Sequence, residues 1–294
     1  MPEPHPLKGV ALMLASVLCF ALLDATSKHL SQKFSVPLLV WARYSVHFLA
    51  MLLIFWPQQR GQLFATRRPV AQISRALLLV GVTGFAMAGF QVMPLAETTA
   101  LLFITPLIVA VLAGPMLSEQ VGLARWLAVI AGFGGTLLIA RPGSQLVWQG
   151  VAFTALASVC YSLYQIQTRK LAATEKPLTM VFYTSLVGSV SMSAALPWIW
   201  QGPIPEAHEA LLICSLALYG GTGHFLLTHA FKIASASTLA PFLYAQLIWA
   251  GLLGWLIYDQ WPNALTLLGM AVIVTSGIAV ALSRTSAGTI KSSG

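Results

Sequence analysis

Ten apolar runs, separated by short polar turns, occupy most of the chain. They are Leu7–Lys28, Val36–Trp56, Ile73–Met93, Glu97–Leu117, Leu123–Ile139, Trp148–Thr168, Leu178–Trp198, Glu209–Phe231, Ser237–Ile257 and Ala264–Leu282. Runs of about 20 residues match a hydrocarbon layer, because a helix rises 1.5 Å per residue and the layer is about 30 Å thick. In lipid, only a structure that satisfies its own backbone hydrogen bonds can span. The expected fold is therefore an all-α membrane protein with ten transmembrane helices. The 294 residues leave no room for a folded extramembrane domain.

Charge supports this reading. Only 8% of the residues are charged, against roughly 25% in soluble domains. That excludes an ordinary soluble enzyme, a disordered tail and a nucleic-acid-binding module. The net charge of +8 is the bias of cytoplasmic loops rather than a nucleic-acid footprint. With the N-terminus inside, twelve Lys and Arg fall on the cytoplasmic side, and only Lys28, Lys33 and Arg141 fall outside. Arg43 alone lies well within a span. Both termini are expected in the cytoplasm and the chain in the cell inner membrane. The first run is too long for a signal peptide. Cys19, Cys160 and Cys214 sit in apolar runs and read as packing residues.

The chain also repeats itself. Gly9-Val10-Ala11, Cys19, Leu22 and Leu30 recur as Gly150-Val151-Ala152, Cys160, Leu163 and Leu171, at one offset of 141 residues. Phe20 matches Tyr161, Lys28 matches Arg169, and Glu119 after the fourth run matches Asp259 after the ninth. Five helices is an odd number, so the second copy enters the membrane from the opposite face. The expected units are 7–140 and 148–283, with 284–294 a short cytoplasmic tail. Inverted repeats are typical of secondary transporters, whose sites lie near the midplane between the halves. A duplicated scaffold without transport is the alternative.

Specific motifs sharpen this. The stretch from Met93 through Pro106-Leu107, then Leu117-Ser118-Glu119-Gln120, Arg125-Trp126 and Gly132-Phe133-Gly134-Gly135, resembles the EamA family of the drug/metabolite transporter superfamily. Ala240-Pro241-Phe242-Leu243-Tyr244-Ala245-Gln246 and Leu253-Gly254-Trp255 carry the likeness into the second half. The resemblance implies a ten-helix carrier of two inverted repeats, and within the family it points to exporters of aromatic amino acids. The chain departs from the pattern at Gln246, where relatives often have proline.

Two groups of residues are candidates for transport. Proline removes a helical hydrogen bond and bends the helix, so Pro106 and Pro241 are expected to kink the fourth and ninth helices as hinges. Polar groups at membrane depth usually face a cavity or the protein interior. Thr105, Tyr161, His224, Tyr244 and Gln246 lie near mid-bilayer, with Gln165 and Gln91 toward opposite ends and Phe90, Phe103 and Trp249 as apolar neighbours. Flat apolar walls with a few fixed polar groups suit an aromatic substrate. The second group, Asp24, Arg43 and His47, reads as an outer gate or a site for a substrate carboxylate, or as a structural ion pair. Trp56, Trp126, Trp148, Trp198, Trp200 and Trp261 fit an interfacial belt.

No phosphate loop, nucleophile elbow or His-Glu-x-x-His motif occurs. The chain is accordingly expected to need no cofactor, metal, nucleic acid or ATPase subunit. Its partners are a small-molecule substrate and the bilayer, and it moves the substrate by alternating access with weak or no ion coupling. An amino acid exporter is the leading expectation. A carrier of a nucleobase, sugar or organic cation is the alternative, and an intramembrane enzyme or a channel is remote.

Overall fold

The computed structural model describes residues 6–289, apart from 118–121, 142–145, 173, 201–202 and 235. Glu119 and Lys291 fall outside the described residues, as do the side chains of Arg125, Lys232 and Arg284. The described residues hold twelve α-helices and no strand. These are α1 (Pro6–Ser31), α2 (Val36–Gln59), α3 (Pro69–Val92), α4 (Leu95–Leu102), α5 (Thr105–Leu117), α6 (Leu123–Ile139), α7 (Trp148–Ala172), α8 (Pro177–Ile199), α9 (Ala207–Ile233), α10 (Ala236–Leu243), α11 (Ala245–Tyr258) and α12 (Ala264–Thr289). A single 3-10 segment, Arg60–Phe64, joins α2 to α3.

Twelve helices arise because the fourth and ninth runs each break into two. One break falls at Phe103–Ile104 and the other at Tyr244, and 103 and 244 are again 141 residues apart. This corrects the expectation of two continuous, kinked helices. Pro106 is the second residue of α5, a first-turn position that tolerates proline, but it has no N–H for the carbonyl four residues back. The acceptor it deprives is the Leu102 carbonyl, which the Thr105 hydroxyl fills at 2.8 Å. Pro241 lies inside α10, one turn before its break.

Among the described residues, seven segments are long and apolar enough to cross a membrane, and two shorter apolar stretches occur in α6 and α12. α7 spans 25 residues but is more polar, with Ser158, Tyr161, Ser162, Tyr164, Gln165 and Gln167 on it. Three of its groups bond inward. Thr154 reaches the Gly150 carbonyl, Ser158 the Thr154 carbonyl and Ser162 the Ser158 carbonyl, at 2.7–2.9 Å.

Lipid gives helices little hydrophobic reason to associate, so close packing at small residues and interhelical hydrogen bonds do the joining. α1 packs along α9, α3 along α7, α2 along α8 and α6 along α12. The first two pairs correspond by register. A Cβ on Gly9 would stand 2.6 Å from Cβ of Ala234, the C-cap of α9. A Cβ on Gly150 would stand 2.5 Å from Cγ of Met93, the C-cap of α3. Gly9 and Gly150, and Met93 and Ala234, are both 141 residues apart. Ser16 adds a hydrogen bond to the Gly223 carbonyl at 2.7 Å.

Polar contacts pin the loops. Lys33 donates to Glu209 at 2.5 Å, and that carboxylate holds the ammonium above its ordinary pKa. Elsewhere Glu175 accepts from the Arg67 backbone N–H at 3.0 Å, tying the α7–α8 connection to the start of α3.

α6 crosses α12 backbone to backbone. A Cβ on Gly135 would lie 2.8 Å from the Gly269 carbonyl oxygen, and one on Gly269 would lie 2.7 Å from that of Gly135. Gly134, one residue away, meets nothing within 4 Å. G135V and G269V should each lower stability by about 1–3 kcal/mol through overpacking, while G134V should be near neutral. Thermal unfolding of the three variants in detergent checks this, and equal effects would refute it.

Candidate functional site

The two sequence-derived groups merge at one place. Gln246 stands in the first turn of α11, just after the break, and donates to Asp24 Oδ2 on α1 at 2.9 Å. Arg43 on α2 lies within electrostatic reach of Asp24. Its guanidinium runs up to Gly220 on α9, where a Cβ would stand 3.3 Å from Nη2. The absence of a side chain at Gly220 is what makes that room. His224 follows one helical turn later, its ring edge-on to Phe20 of α1 at 4.9 Å. His47, one turn from Arg43, lies within electrostatic reach of His224.

The other faces of α2 explain why Arg43 and His47 turn this way. Tyr44 is buried and hydrogen-bonds Thr83 of α3 at 3.0 Å. Ser45 meets Ser189 of α8 at 3.2 Å, and Trp41 donates to Ser193 at 2.9 Å. These contacts fix α2 against α3 and α8 and leave Arg43 and His47 toward α1 and α9. Asp24, Arg43, His47 and Gln246 are half-buried, and His224 is exposed. The group therefore lines an accessible space between helices of both halves rather than a solid core. Among the described residues Arg43 makes no ion pair and Asp24 accepts only from Gln246.

The remaining candidates lie elsewhere. Tyr161 stacks on Tyr164, centroids 5.9 Å apart, and Tyr164 carries the Arg75 guanidinium over its ring at 4.9 Å. Gln165, the register partner of Asp24, is half-buried on the same helix. Phe90 is fully buried against Ala25, Leu95 and Ala250. Trp249 packs on the cluster of Met13, Val17 and Leu239. Thr105 serves the first break, as described. Tyr244 is buried, its hydroxyl against Gly277 of α12 and its ring 5.1 Å from that of Phe103, so the two breaks touch. Gln91 is exposed and donates to the Ser31 carbonyl at 2.5 Å.

Two cations counted as loop charges turn out to be buried. Arg75 lies inside α3 and is 2% exposed. It donates to Thr168 at 3.2 Å, Thr184 at 2.7 Å and the Met180 carbonyl, clamping α3 to α7 and α8. Lys28, near the end of α1, is 5% exposed. Each lies within its helix's apolar run, and that signal would have found them. Phe20 and Gly220 were also missed. Phe20 was visible only as the repeat partner of Tyr161, and Gly220 had no local signal.

His224→Ala should weaken substrate binding and leave assembly intact, since among the described residues its ring makes no hydrogen bond and its ring contact is with Phe20. Gln246→Ala should do the same and also release Asp24. Ligand titration of purified, monodisperse protein checks both. Unchanged affinity in both would remove this group from the site.

Residues 7–141 and 148–282 each match the EamA-like transporter family. The chain is 29% identical over 276 residues to a riboflavin transporter of Vibrio cholerae, covering 92% of each. It is 27% identical over 271 residues to an S-adenosylmethionine uptake transporter of Rickettsia prowazekii, covering 91% of this chain and 90% of that one. A crystal structure with 18% sequence identity shares the fold at a TM-score of 0.62, over 92% of this chain and 98% of the other.

Proposed function

The chain belongs to the EamA-like transporter family, and from that membership we propose that it is a secondary carrier for small metabolites joining an aromatic or heteroaromatic ring to an amino-acid head group. The observation that carries this is the pairing of an acid and a base that do not close on each other. Arg43 and Asp24 flank an accessible space with His224 and Phe20 beside them. A guanidinium is suited to a substrate carboxylate, and the Asp24 carboxylate, steadied by Gln246, suits an ammonium. The Phe20 ring gives the aromatic part a wall.

The named relatives bear on the ring system. One is named for riboflavin and one for S-adenosylmethionine, and neither for an aromatic amino acid. S-adenosylmethionine joins a heteroaromatic ring to an amino-acid head, as tryptophan does, and phenylalanine joins a plain aromatic ring to the same head; riboflavin has a heteroaromatic ring and a polyol. A flavin-type substrate is the second reading, favoured by the identity to the Vibrio relative.

The proposed architecture is ten crossings in two inverted halves, with both termini cytoplasmic in a bacterial inner membrane. Its support is the match of α1–α9 to α3–α7, the equivalent glycine contacts and the equivalent breaks. No ATP site is needed for an uncoupled carrier, and direction then follows the substrate gradient. Helices broken at the midplane suit alternating access, with Pro106 and Pro241 at or beside those breaks.

Proteoliposomes loaded with S-adenosylmethionine, tryptophan or riboflavin decide between the readings by counterflow. The expected result is saturable exchange of the first two. R43Q should raise their KM about tenfold or more, the cost of a charged hydrogen bond. Exchange of riboflavin alone, or an unchanged KM in R43Q, would overturn the head-group reading.

A further inference from the structure

By register, the two ends of the bundle should be alike. Lys28, Phe90, Met93 and Glu97 correspond to Arg169, Phe231, Ala234 and Thr238, each 141 residues on. The C-caps match too. Met93 has φ −124° and ψ 159°, and Ala234 has φ −141° and ψ 153°. The packing at the two ends differs nonetheless.

At the Lys28 end, α1 closes on α3 and α11, and α11 closes on α4. Lys28 Nζ donates to the Phe90 carbonyl at 2.9 Å and the Met93 carbonyl at 2.6 Å. Phe90 needs this donor, because the residue four places on is Pro94, which has no N–H. Glu97, buried on α4, lies within electrostatic reach of the ammonium. The Tyr258 ring of α11 faces Nζ at 5.3 Å, and its hydroxyl donates to the Ala25 carbonyl at 2.7 Å. Gln32 adds a bond to the Gln91 carbonyl at 3.0 Å. One ammonium thus holds the ends of three helices. At the opposite end, among the described residues, α7 and α9 are not packed together, nor are α5 and α10. Arg169 and Thr228 are exposed there.

We propose that Lys28 is a latch: docked on the end of α3, it shuts the bundle at the α1–α2 loop, so that Asp24, Arg43 and His224 open only toward the end where α7 and α9 part. For the substrate to leave by the other side, Lys28 must come off the Phe90 and Met93 carbonyls. Water entering the parted helices would then solvate both the ammonium and the carbonyls. The proposal rests on the carrier reading, but its test needs no substrate, so the two fail separately.

The test uses the full chain in nanodiscs, where both faces meet solvent. Cys19, Cys160 and Cys214 are replaced by alanine, and a single reporter cysteine is placed at Ala25, 3% exposed at the closed end. A second reporter goes at Thr228, one turn from His224 on the same face. A water-soluble maleimide reads each site. K28Q should raise labelling of A25C about tenfold, as expected for losing charged hydrogen bonds, and lower labelling of T228C. K28R should restore both. This reciprocal change is what a latch requires. Unchanged rates, or a rise at both sites together, would overturn it, the second marking a cation that merely holds the helices together. Should K28Q fail to assemble, Y258F loses only the hydroxyl donated to Ala25 and is held to the same reciprocal result.

Discussion

A chain in hydrocarbon has no water to complete an unfinished hydrogen bond. Each departure from continuous helix must therefore bring its own partners, and this constraint shapes the interior. At the first break, Thr105 supplies the donor that Pro106 lacks, and Ser162 reaches the Thr105 carbonyl from α7 at 3.3 Å. At the end of α3, Pro94 leaves a second carbonyl open, and Lys28 crosses from α1 to fill it. In both places a proline creates a vacancy and a side chain closes it, at the break from the neighbouring Thr105 and at the end of α3 from Lys28 on another helix.

The same constraint sorts the charges. Buried cations persist only where donors are well spent. Arg75 spends its own on two hydroxyls and a carbonyl, which makes it a fixed clamp. Arg43 spends none on the described residues, and its neighbours are a bare glycine, two imidazoles and a carboxylate. One arginine spends both terminal nitrogens on the fold, only its Nε going without a partner, while the other makes no such bond among the described residues. That contrast is why Arg43, and not Arg75, belongs in the proposed site.

Much of the architecture was legible because apolar length and a fixed offset are global properties of a sequence. The 141-residue spacing that joins Gly9 to Gly150 also relates the two breaks and the two C-caps. The site was less legible, for reasons of rotation. Depth along a helix can be counted, and it grouped Tyr161 with His224 and Gln246. Direction around the helix is set by packing partners, and packing turned Tyr161 toward Tyr164. It likewise buried Tyr244 against Gly277 and brought Gln246 to Asp24, which sequence had assigned to a separate cluster. Loop charge counting failed at Lys28 and Arg75 because a cation near a helix end is read as solvated, while the tertiary fold folds it inward.

The meeting of Gly135 with Gly269 has a mechanical meaning. Helices normally interlock by seating the ridges of one in the grooves of the other, and turning them means lifting those ridges out. Here, at the crossing of α6 and α12, two bare backbones touch, and Val272, Ile273 and Ile139 seat in the notches that the glycines leave. The seam between the first and second halves is keyed at that point, so α6 and α12 cannot turn on each other there without unpacking those side chains.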